Sequence, residues 1–158
     1  MLELVAEGHP IGDVLEAWAW ELLAEGDGHI CVSAHLPQQL CNRRGELFGG
    51  FTPTYVDLIA LLTVRSRADR ASHIRPLGLA TTSMRLDYFE PIIGPRFSIE
   101  STLEKQRGRT HFVLTRFFQD DALAVVAATT MRAIARDPTE PPVAPPPSDP
   151  VDEGMEVA

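Results

Sequence analysis

The chain has 158 residues, 44% of them hydrophobic and 23% charged, with a mean hydropathy of −0.04. This is the profile of one globular domain large enough to bury a core. The net charge of −8 is concentrated at one end. Segment 137–158 holds six acidic residues and no basic ones, which leaves sixteen acidic against fourteen basic over 1–136, a net of −2. A near-neutral body argues against a general nucleic-acid-binding surface. Two cysteines, Cys31 and Cys41, cannot make a disulfide framework. The longest apolar run, Val56 to Val64, is too short to span a bilayer and contains Asp57. No charged stretch followed by an apolar one opens the chain, so the expectation is a cytoplasmic protein with free thiols and no membrane attachment.

Residues 12–25 read as an amphipathic helix, with Asp13 as N-cap, Leu15, Trp18 and Leu22 on one face, and Gly26 as the stop. His29 to Leu40 reads as a strand in which Ile30, Val32, Ala34 and Leu36 alternate with polar or small neighbours. A helix follows from Thr52, a suitable cap, through Pro53 in its first turn to Val64 or Arg65. Being apolar nearly all round, it is expected to be buried. The Arg-rich stretch Arg65–Pro76 reads as a loop. Leu77–Pro91, Arg96–Lys105, Thr110–Gln119 and Leu123–Ala135 are β-rich and separated by turn signals, which predicts four strands in meander. The order predicts an α+β domain, one antiparallel sheet over a central helix. Seven of the thirteen prolines and the acidic excess fall in 137–158, the composition of a disordered tail.

The stretch Asn42-Arg-Arg-Gly-Glu-Leu-Phe-Gly-Gly-Phe-Thr-Pro-Thr-Tyr-Val-Asp57 carries the chemistry. Asp57 puts a carboxylate into a helix whose next residues, Leu58 to Val64, are apolar apart from Thr63. An ionised carboxylate in apolar surroundings is costly unless paired or hydrogen-bonded, so such a position has a reason to exist. Gly49-Gly50, just upstream, leave bare backbone N–H groups at the mouth of that helix, where the dipole favours negative charge. Read structurally, the glycines permit a tight turn, and Asn42 between strand and loop is a turn former.

Asn42, Gly49-Gly50 and Asp57 at this spacing, followed by a strand ending in Tyr88-Phe-Glu-Pro-x-x-Gly94, resemble the hotdog-fold acyl-CoA thioesterases. More narrowly they resemble the phenylacetate-pathway and human thioesterase-superfamily-type branch, in which His-Gly-Gly opens the hotdog helix. The resemblance covers roughly Ile30 to Ala135. It implies a sheet wrapped around a central helix, with an extra N-terminal helix. The domains would be an N-terminal helical segment 1–27, a hotdog domain 28–136 and the acidic Pro-rich tail 137–158. It implies hydrolysis of an acyl- or aryl-CoA with no cofactor beyond the CoA of the substrate. It also implies a homodimer, by analogy a homotetramer, with the site split between subunits.

The resemblance assigns Asp57 as general base or nucleophile and the Gly49 amide as donor to the thioester oxyanion. Asn42 would position the carbonyl or the attacking water, and Thr81, with Thr82 as the register-shifted alternative, would orient water. Phe48 departs from the pattern: it stands where the family's histidine would be and can neither hydrogen-bond nor carry a proton. Gly50 and Phe48 would border the bound thioester. Arg75, Arg107 and Arg109 are candidates for the CoA phosphates, since guanidinium pairs well with phosphate oxygens. Tyr55, Leu58 and Phe89 are candidate pocket lining. None of the five histidines obviously replaces the family's histidine: His111 lies mid-strand and His73 in the Arg-rich loop, neither with a Ser or Cys partner at a recognisable spacing, and no metal-ligand cluster is evident. Two other readings fit the same residues: a hotdog protein that binds acyl-CoA without turning it over, and an enoyl-thioester hydratase, which would need a histidine that Phe48 removes.

Overall fold

The computed structural model describes residues 8–67 and 78–134. The tail 137–158, Arg70, His73 and Arg75 lie outside the described residues. A short helix, α1 (Pro10–Val14), leads through a 3-10 turn (Ala17–Ala19) to strands β1 (Glu21–Gly26) and β2 (His29–His35). A second 3-10 turn (Gly49–Phe51) runs into the long helix α2 (Thr52–Ser66). Four strands complete the fold: β3 (Gly78–Tyr88), β4 (Arg96–Arg107), β5 (Thr110–Gln119) and β6 (Ala122–Ile134). All six strands join one sheet in the order β1-β2-β4-β5-β6-β3, antiparallel throughout. The α+β hotdog architecture, with a helix added at the N-terminus, is as the sequence led us to expect.

Alternation buries one face of the sheet. Ile30, Val32 and Ala34 of β2, Phe97, Ile99 and Leu103 of β4, and Val113 and Phe117 of β5 point inward with Val125, Ala127 and Met131 of β6. Against them α2 lays Tyr55, Val56, Ile59, Ala60 and Val64. Tyr55 is the centre of this core. Its ring stacks on Trp20 at 5.7 Å and meets Phe97 and Phe117 edge-on at 5.4 and 6.4 Å. Its hydroxyl donates to the His35 carbonyl at 3.3 Å. Tyr55 is therefore a core residue, not the pocket lining considered from sequence.

Several sequence expectations are corrected. The helix over 12–25 is only Pro10–Val14. Its cap is His9, whose Nδ1 accepts from Gly12 N–H at 3.1 Å, and not Asp13. Glu16 stops it by taking a left-handed conformation (φ 50°), with its carboxylate 2.9 Å from His35 Nε2. The remainder becomes β1, closed onto β2 by Asp27-Gly28 with Gly28 at φ 76°. Asp-Gly between two runs is a hairpin signal that outweighed the helical spacing of Leu15, Trp18 and Leu22. The strand over 29–40 ends at His35. Phe51, with no side-chain hydrogen bond, caps α2, and Thr52 is its first residue. The C-terminal strands are not a plain four-strand meander: β4, β5 and β6 are consecutive, and β3 joins the outer side of β6.

Candidate active site

Helix α2 is not buried all round. Tyr55, Val56, Ile59, Ala60 and Val64 face the sheet, whereas Asp57 is exposed and Pro53, Thr54, Leu61 and Leu62 are only partly covered. Asp57 therefore sits on the open side of the helix, not covered by any of the described residues. A cleft of about 370 Å³ lies there, lined by His9 and Ile11 of the α1 region, Thr54, Asp57, Leu58 and Leu61 of α2, and Met84 of β3. Leu58 is thus placed as the sequence suggested. The contribution of the N-terminal residues carried no signal in the sequence.

The partner of Asp57 comes from β3. Thr81 Oγ1 donates to Asp57 Oδ1. Which threonine reaches the acid is settled by a β-bulge. Thr81 pairs with Met131 and Ser83 with Thr130, so Thr82 is the extra residue. The hydroxyl of Thr82 donates instead to the Thr130 carbonyl at 3.1 Å. Thr81 and Asp57 are brought together; Thr82 supports the strand.

At the other end of α2, Phe51 N–H donates to the Phe48 carbonyl and Thr52 N–H to the Gly49 carbonyl. The amides ahead of them, those of Gly49 and Gly50, open the helix without an intrahelical acceptor. The Gly49 carbonyl also accepts from the Tyr88 hydroxyl at 2.8 Å. A second cleft, of about 290 Å³, is lined by Glu46, Leu47, Gly49, Thr52, Tyr88, Phe89, Glu90 and Ile92. Phe89 belongs here. Phe48 is 54% exposed, its ring edge-on to Phe51 at 5.9 Å and close over Gly50. A Cβ on Gly50 would come within 2.8 Å of that ring.

Asn42 holds its own loop. Its Oδ1 accepts from the amides of Arg44 (2.8 Å) and Glu46 (3.1 Å), and its Nδ2 donates to the Glu46 carboxylate at 3.1 Å. It lines a third cleft with Leu36, Gln38, Cys41, Arg43, Ile93 and Pro95, apart from Asp57. Arg107 and Arg109 are exposed on the β4–β5 hairpin, around Gly108 at φ 57°. That hairpin continues strands whose Leu103 and Val113 cluster with Ala60 and Val64, toward the C-terminal half of α2 and away from Gly49. No helix among the described residues is long and apolar enough to cross a membrane, and no group of three metal-ligating side chains occurs among them.

One chain holds the acid and the glycine amides too far apart to act together. Eight residues of helical chain separate Gly49 from Asp57, about 12 Å along the axis at ~1.5 Å per residue. Groups acting on one carbonyl must each lie within about 3 Å of it.

The thioesterase superfamily model matches residues 44–126, more than half of the chain and the whole run from the Asn42 loop through β6's first strand residues. The chain belongs to that superfamily. Among solved structures, this superfamily member is similar to a phenylacetic acid degradation-related protein from Ralstonia eutropha JMP134. The two share 16% identity over 80% of this chain and 92% of that one, with a TM-score of 0.67. The PaaI protein of the E. coli phenylacetic acid degradation operon gives 13% identity over 82% and 87%, with a TM-score of 0.67. A hypothetical thioesterase from Streptococcus pneumoniae TIGR4, solved with coenzyme A, gives 21% identity over 74% and 87%, with a TM-score of 0.62. No curated protein matches the chain by sequence.

Proposed function

We propose that this thioesterase-superfamily chain hydrolyses a CoA thioester of an apolar acyl or aryl group to the free acid and CoA, working as a homodimer in the cytoplasm. One observation carries the reading: the Thr81-tethered Asp57 carboxylate stands open on α2 while the Gly49 and Gly50 amides, without a backbone acceptor among the described residues, stand about 12 Å away at its start. Two such chains related by a two-fold axis would bring the acid of one to the amides of the other. The partly bare Leu61, which shares the Asp57 cleft, and the exposed edge of β3 are the kind of surface such pairing covers. A dimer of dimers is the further assembly this reading allows.

In the reaction, Asp57 takes a proton from water as its oxygen bonds to the thioester carbon. The oxyanion forms against the Gly49 and Gly50 amides of the other subunit. Collapse breaks the C–S bond, and the proton held by Asp57 goes to the departing thiolate. Direct attack by Asp57 gives the same products through an anhydride, which water then opens. The apolar cleft of Ile11, Leu58, Leu61 and Met84 suits the acyl group. Exposed Arg107 and Arg109 offer charge for the CoA phosphates, a part for which Arg75, outside the described residues, remains a candidate by residue type. The role of Asn42 is to hold the 42–46 loop that leads to Gly49 and, through that loop, the carbonyl's surroundings. Coenzyme A in the Streptococcus pneumoniae structure supports a CoA thioester as substrate.

Thiol release from a panel of acyl- and aryl-CoAs tests the proposal. Turnover by the wild type that disappears in Asp57→Ala is expected; wild type and variant equally slow would refute it. The exposed Phe48, which supplies no proton-carrying group beside the glycines, favours one other reading, acyl-CoA binding without turnover. Calorimetry showing tight binding with no thiol release would select it.

A further inference from the structure

Phe48 removes a polar side chain from the mouth of α2, yet the loop there is held. The Tyr88 phenol, carried on the last residue of β3, reaches across to the helix start and donates to the Gly49 carbonyl at 2.8 Å. The same oxygen accepts from Thr52 N–H within the turn. The peptide between Gly49 and Gly50 is thus pinned from two directions. In a trans peptide the C=O and the following N–H point oppositely, so fixing the Gly49 oxygen also aims the Gly50 N–H. The Phe48 carbonyl, bonded by Phe51 N–H at 2.9 Å, aims the Gly49 N–H in the same manner.

The anchor itself is firm. Tyr88 pairs with Val125 of β6, and the two residues after it, Phe89 and Glu90, both donate their amides to the Ala124 carbonyl at 2.8 and 3.2 Å. The ring passes 3.8 Å from where a Cβ on Gly49 would stand, in ordinary contact. Strand β3 therefore reaches α2 through Thr81 at Asp57 and the turn that opens it through Tyr88 at Gly49.

We propose that Tyr88 is the positioning residue of the oxyanion donors, holding the Gly49–Gly50 peptide in its donating orientation in a chain whose Phe48 cannot buttress that loop. The inference rests on the thioesterase reading for its catalytic consequence, but the tether itself is a physical claim that stands apart from activity. Tyr88 touches no reacting atom. Its hydroxyl acts by removing the freedom of a glycine pair, whose backbone would otherwise wander more than any other. Preorganised donors lose much of their value when they must be ordered during the reaction.

Tyr88→Phe keeps the ring and deletes the hydroxyl, and two measurements are made on it beside the wild type. The first is steady-state hydrolysis of the best CoA thioester. A fall in kcat of about ten- to a hundredfold with KM within threefold is expected. An unchanged kcat, or a loss confined to KM, overturns the proposal. The second is amide exchange of Phe51 and Thr52 followed by NMR, expected to be at least several-fold faster in the variant, with the melting temperature of the whole protein little changed. Unchanged exchange also overturns it. Should the wild type hydrolyse none of the thioesters while the variant still loosens Phe51 and Thr52, the thioesterase reading fails and the tether stands. If Tyr88→Phe does not fold, Tyr88→Trp supplies a ring without the para hydroxyl for the same two measurements.

Discussion

The Thr81 hydroxyl donates to the Asp57 carboxylate across the gap between β3 and α2. Nothing else in the described chain bonds that carboxylate, which lies open to whatever docks on the helix. Asp57→Asn, isosteric but unable to take a proton, is expected to lower kcat by at least about 100-fold, the range for a general base. Thr81→Val keeps the shape and removes the donor, and a smaller loss of about tenfold should follow. Both sites are exposed, so both variants should melt as the wild type does. Equal loss in both, or none in either, would contradict these roles.

The two glycines at the helix mouth should differ in what they tolerate. A methyl on Gly49 meets only the Tyr88 ring at 3.8 Å, and the backbone amide is kept, so Gly49→Ala should retain activity within about tenfold. A methyl on Gly50 would fall 2.8 Å from the Phe48 ring, which must then swing aside. Gly50→Ala should therefore be the more impaired of the two, and Phe48→Ala added to it should restore part of the loss. Kinetics of the two single variants and the pair would show this coupling, which is absent if Phe48 merely fills space.

How much of this was legible without coordinates depends on the range of the signal. Asp57, the paired glycines and the alternation of β4, β5 and β6 are local patterns, and the central helix and sheet follow from them. Tyr88 also lay in plain view within Tyr-Phe-Glu-Pro, but its bond to Gly49 spans 39 residues and no spacing rule points to it. The choice of Thr81 over Thr82 turned on a single bulge, which period-two reading cannot register. The helix expected over 12–25 failed because the helical spacing of Leu15, Trp18 and Leu22 does not register Glu16 at φ 50°, which ends the helix, or the Asp27-Gly28 turn, which pairs Glu21–Gly26 with β2. Asp57 was expected to be enclosed because its neighbours in sequence are apolar, but Ile59, Ala60 and Val64 turn to the sheet while Asp57, on another side of the helix, stays exposed.

The hairpin arginines offer a separable test of CoA binding. Arg107 and Arg109 are exposed, and no ion pair among the described residues involves either. The double variant Arg107→Ala, Arg109→Ala should raise KM for a CoA thioester several-fold while leaving kcat and stability as they were. Its KM should also depend less on salt, since screening weakens exposed charge pairs. A truncated pantetheine thioester, which lacks the nucleotide phosphates, should be handled alike by variant and wild type.

Tyr55 should be the costliest position in the core. It is fully buried with Trp20, Phe97 and Phe117 around its ring. Tyr55→Ala is expected to lose about 3–5 kcal/mol, the range for emptying an aromatic site. Tyr55→Phe gives up only the hydroxyl bond to the His35 carbonyl, worth about 1 kcal/mol. Urea denaturation of the two variants should separate them in that order.

Stability should also fall on mild acidification, and His111 is the reason. It is 6% exposed on the inner face of β5, and its Nδ1 has no hydrogen-bond partner among the described residues. Burial pushes its pKa below the ordinary histidine value of 6.5; the carbonyls of Arg109 and Met131 pull it partly back, and the Arg67 charge lowers it further. The folded chain therefore takes this proton less readily than the unfolded one. Its neutral form supports the fold fully above pH 6.5, and that support declines as pH drops from there toward the folded pKa. One proton can contribute a slope of at most about 1.4 kcal/mol per pH unit. In His111→Phe this part of the slope should vanish. Denaturation free energies of wild type and variant at pH 7.5 and 5.5 check it, and a difference between them that does not change with pH would refute the assignment.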